Sequence, residues 1–225
     1  MNQTLHVGIL VFNGFEVLDI FGPVEALGSA CFVGQQVKDP TPRPFELHYL
    51  APSSAPVQVG NGQNVSVLPD APLQYAPPLD IFLIPGGLGT RTLIDDDSLI
   101  DEVQALSARV QIMVSVCTGA AVLARAGVLC GLRATTNHQA YDWVRSVSTP
   151  PGGKPILWTR DLRWVDEGHV VTSAGVSAGT DMALYLVQRL FGAEVADATA
   201  EKMEYAWERD PSKQPAFGQE AASAA

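Results

Sequence analysis

Three short stretches, residues 5–12 (LHVGILVF), 80–84 (DIFLI) and 111–116 (QIMVSV), are apolar almost throughout and do not alternate. A strand with one wet face alternates apolar and polar residues, whereas a strand covered on both faces does not need to. These runs therefore predict strands buried inside a sheet that carries layers on both sides. The segments between them have helical spacing. Residues 16–29 read as a helix, with Gly22-Pro23 predicting a break inside it. Asp95-Asp96-Asp97-Ser98 predicts a helix start, with Ser98 as the cap before LIDEVQALSARV. Residues 118–126 read as a small-residue helix ended by Gly127, and residues 139–145 as a short one.

Phe45–Ala51 reads as a further strand, residues 57–68 as a small hairpin around Asn61-Gly62, and residues 160–166 with 169–173 as a second hairpin. Two helices, Ser177–Phe191 and residues 194–209, are expected to close the chain. Strands alternate with helices from end to end, which predicts an α/β architecture: a parallel-rich sheet with helices on both faces. No long linker interrupts it, so residues 1–210 are expected to form one domain, with 211–225 a frayed tail.

The formal net charge of -10 is spread thinly. Nucleic-acid binding needs clustered Lys and Arg to neutralise phosphates, so the charge argues against it and against docking on anionic membranes. The start of the chain lacks a basic stretch followed by an apolar core and a cleavage site, and no apolar run reaches the roughly 20 residues that span a bilayer. The three cysteines, Cys31, Cys117 and Cys130, are odd in number and not at metal-like spacing, so neither a disulfide framework nor a metal site is expected, and the cytoplasm is the default compartment.

Open α/β sheets bind ligands beyond the carboxyl ends of their strands. Two such ends are unusual here: Pro85-Gly86-Gly87-Leu88-Gly89, and Ser115-Val116-Cys117-Thr118-Gly119-Ala120-Ala121. A cysteine between a buried strand and a run of small residues sits on a tight turn at the positive end of the next helix, where the thiol pKa should fall. Free cysteine is also among the most buried residue types. The small residues behind Cys117 favour the nucleophile, while Cys31 and Cys130 read as core cysteines. Asp19 lies in the apolar stretch FEVLDIFGP and reads locally either as a helix-start acid or as a carboxyl that holds a proton. Glu16 has a weaker version of the same claim. Asn137 and His138 follow Thr135-Thr136 at another loop, and a lone histidine there reads more readily as structural.

Together, VGILVFNGFEVLDIFGPVEAL, DIFLIPGGLGT, SVCTGAAVLARAGVLCGLRATT and VTSAGVSAGTDMALYL resemble the class I glutamine-amidotransferase-like superfamily. The similarity is to its branch of PfpI-type intracellular peptidases and isocyanide hydratases, and runs over residues 5–190. It implies a flavodoxin-like three-layer sandwich, a homodimer and a small-molecule substrate, with no metal or organic cofactor. By the same resemblance Cys117 matches the nucleophile, Asp19 the carboxylate bonded to its sulfur, and the N–H groups of Gly87 and Thr118 the oxyanion-hole donors.

Peptidase-like members carry His after the cysteine where this chain has Thr118. Isocyanide hydratases share Cys-Thr-Gly, but have His-Trp after the Thr-Thr pair where this chain has Asn137-His138-Gln139. The resemblance therefore implies hydration of isocyanides to N-substituted formamides through a thioimidate. A glyoxalase- or deglycase-like activity on dicarbonyls, a cysteine redox sensor and a ligand-binding module are the alternatives. Some transcription regulators join this domain to helix-turn-helix units. About 30 residues follow the last matching helix, so no DNA-binding module is expected.

Overall fold

A computed structural model describes residues 3–35, 42–60, 62 and 64–213. In chain order the strands are β1 (Leu5–Leu10), β2 (Phe45–Ala51), β3 (Val57–Gln58), β4 (Ser66–Val67), β5 (Ala71–Pro72), β6 (Ile81–Ile84), β7 (Ile112–Val116), β8 (Arg133–Ala134), β9 (Leu157–Trp158), β10 (Trp164–Asp166) and β11 (Val170–Ser173). The helices are α1 (Val17–Ser29), α2 (Thr90–Leu93), α3 (Asp97–Ser107), α4 (Gly119–Arg125), α5 (Tyr141–Ser146), α6 (Ser177–Phe191) and α7 (Ala193–Lys202).

Seven strands form the central sheet in the order β10-β11-β7-β6-β1-β2-β5. Every neighbouring pair is parallel except β10 with β11, the hairpin expected near residues 160–173. All residues of β6, β7 and β11 are buried, as continuous apolar runs require when both faces are covered. Helices α1, α6 and α7 pack together, and α2, α3 and α5 pack on α4; the two groups cover opposite faces in a flavodoxin-like sandwich. The chain leaves β1 toward β2 on one side and later lays β6 and β7 on the other. That reversal opens a crevice at the carboxyl ends of β1 and β6.

Three expectations need correction. Helix α1 runs unbroken through Gly22 and Pro23. Pro23 cannot donate to the carbonyl of Asp19 one turn earlier, but packing outweighs that loss. Gly22 lies directly against α6, where an added Cβ would stand 2.3 Å from Thr180 Oγ1. The cap of α3 is Asp96, whose side chain accepts from the Leu99 N–H at 3.1 Å, so Ser98 already lies inside the helix.

Helix α7 stops at Lys202, well short of Arg209. Glu204 turns the chain with φ 49°, and the following residues fold back over α6. There Trp207 Nε1 donates to the Asp181 carbonyl and the Glu208 N–H to Asp181 Oδ1, both at 3.1 Å. The Arg163 N–H donates to the Pro211 carbonyl at 2.6 Å, so the first residue of the expected tail is held; residues 214–225 lie outside the described ones. The hairpin expected at residues 57–68 forms between β3 and β4, though Asn61 of its turn is outside the described residues. Among the described residues, no helix is long and apolar enough to cross a membrane.

Candidate active site

Strand β7 ends at Val116 and α4 begins at Gly119, which leaves Cys117 and Thr118 to turn the chain. Cys117 does so with φ 57°, a left-handed conformation that costs a non-glycine residue on the order of 1–3 kcal/mol. Its backbone is tied on both sides. The Cys117 N–H donates to the Ser173 and Ala174 carbonyls at 3.2 and 3.1 Å, and its carbonyl accepts from Thr136 Oγ1 at 2.7 Å. The thiol is buried, with 6% of the residue exposed.

Asp19, in the first turn of α1, is fully buried beside that thiol. Its Oδ2 accepts from the Gly86 N–H at 2.9 Å, while Oδ1 lacks a hydrogen-bond partner among the described residues. The approach is tight enough to demand glycine at position 86: an added Cβ would lie 2.6 Å from Thr118 N and 2.8 Å from Asp19 Oδ2. Burial raises the Asp19 carboxyl to about 7, against the pull of the Gly86 N–H and the thiol; the charge of Glu16 and the Val176 N–H act in opposite directions, both more weakly.

The thiol does not have the lowered pKa expected at the start of α4. Burial pushes it up, and the negative charge of Asp19 pushes it further. The Thr118 N–H and the Asn137 amide both reach the sulfur and pull the other way, but a terminus of so short a helix cannot offset loss of water.

The structure brings Cys117, Asp19, Thr118 and Asn137 together. Asn137 Oδ1 accepts from the Gln139 and Ala140 N–H groups, both at 2.9 Å, which turns its amide nitrogen toward the sulfur. The Gly87 N–H is engaged: it donates to Thr118 Oγ1 at 3.0 Å, so it meets a substrate oxygen only if that hydroxyl swings away. Glu16 precedes α1, donates its N–H to the Gly86 carbonyl at 2.9 Å, and acts on Asp19 through its charge. His138 lines a cavity of about 400 Å³ together with Asn137, Arg163, Gly175 and Val176, and its buried Nε2 lacks a partner among the described residues.

Sequence reading passed over two neighbours. Val176, just before α6, has φ 41°, a strained value for a β-branched residue that no sequence signal announces. Arg163 is buried and paired with Asp181, and that pairing joins two elements distant in sequence. Cys31 and Cys130 are only partly buried, not the core cysteines that the sequence suggests, and Cys31 accepts from Arg43 Nη1 at 2.7 Å.

A parallel α/β sandwich with a cysteine on a strained strand-to-helix turn and a buried carboxyl at its sulfur defines a class of elbow-cysteine proteins. The profile of the DJ-1/PfpI family matches residues 6–189, and the chain belongs to that family. The isonitrile hydratase of Pseudomonas putida is 31% identical over 204 residues, 91% of this chain and 80% of that protein. The HTH-type transcriptional regulator GbdR of Pseudomonas aeruginosa is 26% identical over 88% of this chain, which spans half of that protein. Among solved structures, a ThiJ/PfpI family protein from Pseudomonas syringae superposes with a TM-score of 0.76 at 26% identity, covering 96% of this chain and 78% of that one.

Proposed function

We propose that this chain hydrates isocyanides to N-substituted formamides, with Cys117 as nucleophile and Asp19 as proton carrier. The observation that carries this reading is a buried thiol placed against a carboxyl balanced near pH 7. The similarity to an isonitrile hydratase supports the substrate class.

An isocyanide, R–N≡C, is electrophilic at its terminal carbon and suits a soft sulfur nucleophile. Asp19 takes the proton of the Cys117 thiol as the sulfur attacks that carbon, then delivers the proton to the same carbon. The product is a thioimidate, R–N=CH–S–Cys117. Water adds across the C=N bond, its hydroxyl to carbon and its proton to nitrogen. Collapse of the tetrahedral adduct expels the sulfur, which regains a proton, and releases R–NH–CHO. The Thr118 N–H and the Asn137 amide stabilise negative charge on sulfur during attack and expulsion.

The test is formamide production from a panel of aryl and alkyl isocyanides, run beside a methylglyoxal panel. Saturable isocyanide turnover that disappears in Cys117→Ala supports the reading. Turnover of dicarbonyls alone, or undiminished hydration by Cys117→Ala, overturns it.

A further inference from the structure

At the opposite end of the sheet from Cys117, three side chains from two adjacent parallel strands converge. His6 on β1 stands opposite Glu46 on β2, and His48, two residues on, shares their face of the sheet. His6 Nδ1 lies 3.1 Å from His48 Nε2, with the rings stacked 5.4 Å apart. The Glu46 carboxylate oxygens lie 3.8 Å from His6 Nδ1 and 3.7 Å from His48 Nε2. All three donor atoms fall within 4.8 Å of one another.

We propose that His6, Glu46 and His48 form a binding site for one divalent transition-metal ion of the zinc class, separate from the Cys117 crevice. Two imidazole nitrogens 3.1 Å apart can both sit at a metal–nitrogen distance of about 2.0–2.1 Å, subtending an angle of about 100° at the ion. That angle lies between square and tetrahedral geometry. The two nitrogens are already hydrogen-bonded to each other, so an ion would take the place of the proton they share. Glu46 is more than half exposed and reaches its position by rotating its own side chain. Two imidazoles and one carboxylate form a donor set suited to Zn²⁺, Ni²⁺ or Cu²⁺ rather than Mg²⁺ or Ca²⁺, and solvent supplies the remaining ligand.

The chain's other histidines contrast with this pair. His169 has both ring nitrogens engaged by carbonyl oxygens, Nδ1 with Gln111 at 2.8 Å and Nε2 with Ser107 at 2.7 Å. His138 belongs to the cavity beside Asn137. Only at β1 and β2, among the described residues, do histidine nitrogens converge with a carboxylate. Because His6 and His48 sit on adjacent strands, an ion there would clip the start of β1 to β2.

Calorimetric titration of the full chain with Zn²⁺ in a non-chelating buffer is the test, with Cys117→Ser as the background that removes the crevice thiol. The expected result is one ion per chain, with micromolar or tighter affinity kept in the Cys117→Ser background. Affinity should fall at least about tenfold in His6→Ala and in His48→Ala, since loss of even an outer-shell partner costs that much. Histidine NMR signals of His6 and His48, but not of His138 and His169, should shift on titration. Absence of saturable binding would overturn the proposal, as would binding unchanged in the His6→Ala/His48→Ala double variant.

Discussion

Asp19 and Asp181 are both buried acids, on the neighbouring helices α1 and α6, yet they are held in opposite ways. Asp181 is surrounded by donors: the Arg163 guanidinium on Oδ2, the Glu208 N–H on Oδ1, and the Tyr205 hydroxyl. Asp19 has the Gly86 N–H, the more weakly acting Val176 N–H and a thiol, and no cation beside it among the described residues. Burial pushes both carboxyls up, but only Asp181 has a fixed positive charge to pull it back. The difference is between a carboxyl held against a fixed cation and one without such a counter-charge. Burial raises a carboxyl more freely where no counter-charge offsets it.

Four substitutions test that contrast. The largest effect belongs to Cys117→Ala, which should lower isocyanide hydration by at least about 10⁴-fold while the far-ultraviolet dichroism stays native. Asp19→Asn should cost on the order of 10³-fold in kcat/KM. In the wild type, kcat/KM should rise with a midpoint near pH 7 as the pair loses its first proton, and Asn should abolish that limb. The stability signature has a definite sign. The folded state binds a proton at Asp19 that the unfolded chain releases near pH 4, so wild-type stability should fall as pH rises from about 4 to 7 and then level off. Denaturant titrations across that range should show the slope in the wild type and its loss in Asp19→Asn.

Asp181→Ala should reverse the pattern. It leaves Arg163 charged and unpaired in the interior, so it should destabilise the fold by about 3 kcal/mol in chemical denaturation and leave the pH midpoint of catalysis near 7. A shifted midpoint would mean that the two acids are not independent. The smallest effect is expected from Asn137→Ala, which removes one neutral donor to the sulfur. It should slow turnover roughly tenfold, consistent with about 1.4 kcal/mol for such a bond, and should move thiol alkylation to higher pH.

The contrast also explains what the sequence disclosed. The buried strands, most helices and the Cys117 turn were legible because each writes its cause locally, as an apolar run or a string of small residues after a strand. Asp19 was legible as an acid among apolar residues, but its burial against a sulfur 98 positions away in the sequence depends on the parallel order of β1, β6 and β7. The continuity of α1 through Pro23 was hidden because it depends on packing against α6, a helix more than 150 residues later in the chain. The end of α7 was hidden because Asp181 captures residues 207 and 208. The two-residue strands β5, β8 and β9 and the four-residue α2 are too short to show any period. The Arg163–Asp181 pair and the left-handed Val176 leave no local trace at all.

The segment beyond α7 has a consequence for the integrity of the whole domain. Residues 205–211 roof over an interior ion pair, supplying Asp181 with an indole, an amide and a hydroxyl, and Arg163 with a carbonyl. Trimming the chain at Met203 would flood that pair with solvent and untie β10 from its clasp. What looks like a trailing end is the seal on the molecule's most charged interior.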